Sequence, residues 1–351
     1  MSTTPLRRHR LGAAVLATSI AFLASTQAAW AVYGEDEEPD TGPPPEYVPR
    51  PDLFVSDASI SKSTTGWQLS YTVKNNGDAP SGSFRVAFAK DGATSVGTRT
   101  EAGIAAKGAR TSSVTLSRST CYIALKLTVD DQKVVTEASE GNNTKWLVGQ
   151  AEDVCADAPR YKVQAMRLKA VEQSHGDWGA SDEPYLTISR VSNAGTGLTW
   201  ETPVYDNVFT GESVGIDPAH GCVWSRSCTA MAAPHGIGFS VQVMEHDSGD
   251  LTAVRNTVAE AFDKAGPIVY LLAGPEWAIY ASPLMAGAVD TILGWFDDDV
   301  IGNQTYAFTP VDLAMRIPLP GQSFDDTRYY MGAESSADAR YTVTMRFTRV
   351  A

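Results

Sequence analysis

Apolar residues recur at every second position through most of this chain, and that period admits strands and little else. Side chains alternate between the two faces of a strand, so a period of two buries one face and leaves the other wet. In GWQLSYTV, Trp67, Leu69, Tyr71 and Val73 alternate with polar residues; Phe84, Val86 and Phe88 do so next, then Ile123, Leu125, Leu127 and Val129. NNGD, KDG and GNN separate these runs and are turn sequences. Six or seven short strands at this spacing, over residues 52–149, predict an immunoglobulin-like β-sandwich. The pattern returns over 161–351, which opens with YKVQAMRLKAVEQ and closes with ARYTVTMRFTRV. The expected fold class is therefore mainly β, with two sandwich domains.

Between and before these regions the composition changes. Arg7, Arg8 and Arg10 precede an apolar run, Leu11–Ala24, that is too short to span a bilayer, and Ala29-Trp30-Ala31 suits signal peptidase. Residues 1–31 read as a signal peptide cleaved after Ala31, which predicts a secreted protein. Residues 32–51 are acidic and proline-rich and read as an extended linker; residues 150–160 form a second linker. The formal net charge is −13, and cleavage would remove three arginines and no acid. So acidic a chain excludes nucleic acid as a partner and suits cations. Its four cysteines should be oxidised in an exported protein. Three pairings are open, and proximity favours Cys121–Cys155 and Cys222–Cys228.

The stretches PDLFVSDASI, YTVKNNGDAPSGSFRVAF and VDDQKVVTEASEGNNTKW together resemble the CARDB domain, the cell-adhesion-related domain found in bacteria. The most specific part is the closing pattern of Asp131, Val135, Glu137, Glu140, Asn142 and Asn143. The resemblance covers about 100 residues; it implies a seven-stranded sandwich used as a spacer or adhesion module, without catalysis. Glu137, Glu140 and Asn142 are either cation ligands or, as the ordinary chemistry of such residues favours, groups that shape the last hairpin through bonds to backbone.

In the second region three acidic turns stand at strand edges. SHGDWGASDEPYLTIS carries Asp177 and Asp182, GIGFSVQVMEHDSGD carries Glu245 and Asp247, and FDDDVIGNQTYAF carries Asp297, Asp298 and Asp299. Calcium takes roughly six to eight oxygen ligands, which a sandwich supplies only from loops that meet at one end. The wording of these turns resembles the C-two domain, a calcium-dependent lipid-binding sandwich. On that resemblance Asp177, Asp182, Glu245, Asp247 and Asp299 fall on calcium ligands, with Asp297 and Asp298 beside them. The chain departs from that pattern in a first loop one residue short, in Glu245 for Asp, and in about 45 additional residues before the triple aspartate. Residues 251–296 within that insertion read as helical: Leu251, Val254, Val258 and Phe262 share one helix face, as do Leu284, Ala288 and Ile292.

No nucleophile elbow, zinc-protease motif or phosphate loop is present, and His175, His220, His235 and His246 stand in no catalytic spacing. The expected function is a secreted, calcium-associated binding or adhesion-type protein, not an enzyme. Its partner would be a protein, a glycan or another cell-surface ligand, with membrane lipid engaged only through calcium. A metal-free scaffold that presents an interaction surface, and a secreted hydrolase of unrecognised type, are the alternatives.

Overall fold

The computed structural model describes residues 47–63, 66–117, 123–148, 158–173, 181–191, 197–233, 236–246, 300–331 and 339–351. The expected signal peptide, Cys121 and Cys155 of the expected second disulfide, and residues 251–296, where a helical insertion is expected, lie outside the described residues. What is described is mainly β, in antiparallel sheets, with one short helix.

Seven strands make the first sandwich: β1 (Leu53–Lys62), β2 (Trp67–Asn75), β3 (Phe84–Lys90), β4 (Thr94–Glu101), β5 (Ala109–Leu116), β6 (Ala124–Val129) and β7 (Thr144–Val148). One sheet runs β1-β2-β5 and the other β4-β3-β6-β7. The alternation seen in the sequence is the alternation of burial. Trp67, Leu69, Tyr71 and Val73 point inward from β2, and Phe84, Val86 and Phe88 meet them from β3. The phenol of Tyr71 ends on the buried carboxylate of Glu101, at 2.7 Å.

The second sandwich holds β8 (Arg160–Glu172), β9 (Pro184–Val191), β10 (Gly197–Glu201), β11 (Ser213–Gly215), β12 (Met231–Ala232), β13 (Ile237–Glu245), β14 (Val300–Phe308), β15 (Ser323–Met331) and β16 (Arg340–Arg349), with α1 (Pro310–Arg316) after β14. One sheet runs β10-β9-β13-β14; the other runs β11-β8-β16-β15, with β12 also on β8. Ile237, Phe239, Val241 and Val243 of β13 face Tyr341, Val343, Met345 and Phe347 of β16 across one continuous core. Phe324 and Phe347 stack at 4.7 Å, and Phe239 and Tyr306 at the same distance. Such offset pairs add to the burial of their area.

Residues Val48–Ala351 form one compact unit, and among the described residues several contacts join its two sandwiches, Ile123 packing against Ala158 being one. Arg349, on β16, reaches Asp91 in the turn after β3, at 3.1 Å and almost wholly buried. The helix α1 packs on β6 and β7. Gly92, beside Asp91, has φ of +80°, and a Cβ there would stand 2.6 Å from the Trp146 ring of the same sandwich and 3.4 Å from the Ala314 carbonyl of α1. Only glycine suits both that backbone and that approach.

The disulfide expected at Cys222–Cys228 is present, with Cα atoms 5.1 Å apart. The sequence reading did not anticipate α1. It is set by Thr309-Pro310, an N-cap followed by a proline at the first turn, with Asp312 closing a capping box.

Candidate functional site

Three strands of the second sandwich end together. Glu245, the last residue of β13, pairs with Pro184, the first of β9, and Met244 pairs with Val300, the first of β14. The segment leading into β9, the segment leaving β13 and the segment leading into β14 therefore all connect at one edge of one sheet. These are the three segments that carry the acidic turns.

Two of the predicted ligands are described, and they stand in that place. Glu245 continues the inward row of β13 after Val241 and Val243 and is buried. Asp182 precedes β9, is bridged to Val208, and is 1% exposed. Its Oδ2 accepts a hydrogen bond from the hydroxyl of Tyr341 at 2.5 Å. Tyr341 is the first inward residue of β16, in the facing sheet, so this bond ties the two sheets together. Burial pushes the Tyr341 phenol far above its usual range; donation to Asp182 and the negative charges of Asp182 and Glu245 push it further. The phenol is thus a fixed neutral donor, and it senses both carboxylates.

Asp177, Asp247, Asp297, Asp298 and Asp299 lie outside the described residues. Among the described residues no three His, Cys, Asp or Glu side chains stand close enough to hold a metal ion. Asp182 and Glu245 are hard oxygen donors of the type that calcium takes, and one oxygen of Asp182 is committed to Tyr341. His246 N–H donates to the carbonyl of Glu183 at 3.2 Å, and its ring meets Tyr185 edge-on. That neighbour, Tyr185, alternates with the inward Leu186, in keeping with the expectation that the imidazole turns away from the acidic pair.

In the first sandwich the polar residues of the closing pattern do structural work. Glu137 accepts from the backbone N–H of Leu53 at the start of β1 and from the Asn143 amide at 3.0 Å. Asn142 donates to Asp52 at 2.8 Å, and Asp131 pairs with Arg85. Burial raises the Glu137 carboxyl from 4.5 to about 7 against the lowering effect of its two donors; the charges of Glu140 and Asp130 add to the rise. The ordinary reading of these residues, as builders of the last hairpin, describes what they touch.

Sequence reasoning missed Tyr341 as a site residue, because in ARYTVTMRFTRV it is one more apolar step of an alternating strand. It also missed that Arg190 is buried, with its guanidinium over the Trp224 ring at 5.2 Å. In PYLTISRV the inward positions run Leu186, Ile188 and then Arg190, a charge where the pattern calls for a hydrophobe.

The CARDB family model matches residues 50–146. No curated protein matches the chain. Among solved structures, a domain assigned to a cell surface protein of Methanosarcina acetivorans is 27% identical, covering 29% of this chain and 94% of that one, with a TM-score of 0.27. The CARDB domain of a Pyrococcus furiosus protein, described in complex with di-metal ions, is 24% identical, covering 30% of this chain and all of that one, with a TM-score of 0.25. A structure described with CC2D1B and the mitotic reformation of the nuclear envelope is 10% identical, covering 57% of this chain and 60% of that one, also with a TM-score of 0.25.

Proposed function

We propose that this is an exported, non-catalytic adhesion-type binding protein in which a CARDB domain carries a second, C-two-like sandwich that takes calcium at its acidic end. The observation that carries the reading is the strand register. It gathers Asp182, Glu245 and the chain positions next to Asp247 and Asp299 at one end of one sandwich, as a calcium site requires. Repulsion between carboxylates brought together in this way is relieved by a divalent cation. The partner is a protein, a glycan or another cell-surface ligand; lipid is engaged only through calcium, because acidic loops repel anionic headgroups.

The hydrogen bond from Tyr341 favours a second reading, in which Asp182 is a buried strut and the acidic turns are merely solvated. Calcium titration of the chelator-stripped mature protein by calorimetry separates the two. Heat is expected from the wild type, together with a rise in melting temperature. At calcium about 100-fold above the dissociation constant the added stability is about 2.7 kcal/mol. Asp182→Asn keeps an acceptor for Tyr341, and Glu245→Gln leaves that bond untouched, so both variants should fold while binding calcium more weakly. Absence of heat in the wild type leaves the metal-free scaffold.

A further inference from the structure

The second sandwich collects positive charge on one face. Residues 161–351 carry 12 Lys and Arg against 23 Asp and Glu. Five of those cations nevertheless share the outer face of the β11-β8-β16-β15 sheet. Lys162, Arg167 and Lys169 alternate with the inward residues of β8, as Arg340 and Arg346 do with those of β16. The register sets them in one array. Lys169 stands beside Thr342, Arg167 beside Thr344 and Lys162 beside Thr348, while Arg340 and Arg346 lie opposite Met331 and Asp325 of β15. Residues paired across strands point to the same side.

The acids within this array are Asp325 and Glu172, and each already has a cation. Asp325 pairs with Arg346 at 2.7 Å, and Glu172 with Arg340 at 3.5 Å. Bonding to Arg346 holds the Asp325 carboxyl below its ordinary range against a smaller effect of burial, and the charge of Arg167 adds to the lowering. Arg167 therefore overlooks the same face. Glu212, which borders the array, accepts instead from the N–H of Phe209 at 3.1 Å. Lys162, Arg167 and Lys169 form no ion pair among the described residues. Like charges set side by side on a sheet repel, so a region with nearly twice as many acids as cations leaves three cations together and uncompensated.

We propose that this face binds an acidic polysaccharide. The inference deepens the adhesion reading above by naming a partner class, and it needs neither calcium nor the acidic end. Tyr329 stands in the row of Thr342 and Lys169 and is 60% exposed. It offers an apolar surface to a sugar ring whose carboxylates meet the cations. An acidic peptide is the poorer fit, because a sheet takes a peptide chiefly by adding it as a strand at an open edge. Here β15 lies against β14, where the Gln304 amide donates to the Tyr329 carbonyl at 2.8 Å. The β8 edge is taken by β11, β12 and backbone bonds to Gly221 and Val223. What remains is a flat face of side chains. The formal net charge of −13 does not prevent this contact, since charges more than about 8 Å away are largely screened at physiological salt.

Calorimetric titration of the mature protein with oligogalacturonate tests the proposal, and chelator keeps the result separate from the calcium titration. The fully methyl-esterified oligosaccharide is the control, with the same sugars and no charge. Saturable binding of the acid is expected, weakening as salt rises, with none of the ester. Arg167→Gln combined with Lys169→Gln should weaken binding by about fivefold, the loss of two exposed ion pairs. Lys74→Gln combined with Arg110→Gln, which changes the net charge equally from exposed positions on the first sandwich, should leave it unchanged. The proposal is overturned if the acid does not bind, if the Arg167/Lys169 variant binds as the wild type does, or if both double variants lose equally. Tighter binding of polyglutamate than of oligogalacturonate would also overturn it, and would make the partner an acidic protein.

Discussion

At the scale of single residues, the most consequential titrating group is Glu137. It fastens the start of β1 to the last hairpin, through the Leu53 N–H and the Asn143 amide. The folded protein holds its proton to about pH 7, while the unfolded chain releases it near 4.5. The stability gained from protonation is therefore complete below pH 4.5 and is lost as pH rises through 7. That loss amounts to about 3 kcal/mol, at 1.36 kcal/mol for each pKa unit. Glu137→Gln removes the titration and keeps an acceptor for Leu53. Denaturant unfolding at pH 4 and pH 8 should show the variant gaining about that much on the wild type across the interval. A difference that stays constant with pH would refute the role given to this carboxyl.

Elements were legible in the sequence wherever a single period ruled them. The inward residues of β2, β3, β13 and β16 can be counted directly from GWQLSYTV, FRVAF, GIGFSVQVME and RYTVTMRF, because burial on one face is what the period encodes. The site was legible only in part. Acidic turns announce themselves in sequence, and the register brings two of the predicted ligands to one end. The Tyr341 bond and the Arg190–Trp224 stack join residues far apart in the chain, however, and no local pattern encodes either meeting. The helix α1 fell between these cases. Seven residues are too few to be stable alone, so its apolar pattern is faint, and its capping box is what fixes it. The Thr309 hydroxyl accepts from Asp312 N–H at 3.1 Å, and the Asp312 carboxylate accepts from Thr309 N–H at 2.9 Å. Thr309→Ala should therefore cost about 1 kcal/mol. In native hydrogen exchange, the amides of 312–316 should exchange faster while those of β13 stay protected.

At the scale of the whole molecule, a buried ion pair and a short helix are among the described contacts that join the first sandwich to the second. A spacer on a flexible tether would leave the acidic end free to turn; a locked interface fixes the direction in which it is presented. Asp91 and Arg349 decide between these. Their side chains are 4% and 8% exposed, and Arg349 also donates to the carbonyl of Pro318 at 2.6 Å. Removing one partner strands the other in the interface, at a cost of roughly 3–5 kcal/mol, whereas replacing both by apolar groups is far less damaging. Asp91→Ala should split thermal unfolding into two transitions as the sandwiches lose their coupling, and should expand the particle in small-angle scattering. Asp91→Ala combined with Arg349→Met should recover much of the single transition, because no bare charge is then left behind. If Asp91→Ala unfolds in one step at the wild-type temperature, the ion pair does not hold the halves, and apolar contacts such as α1 on β6 and β7 and Ile123 on Ala158 do so instead.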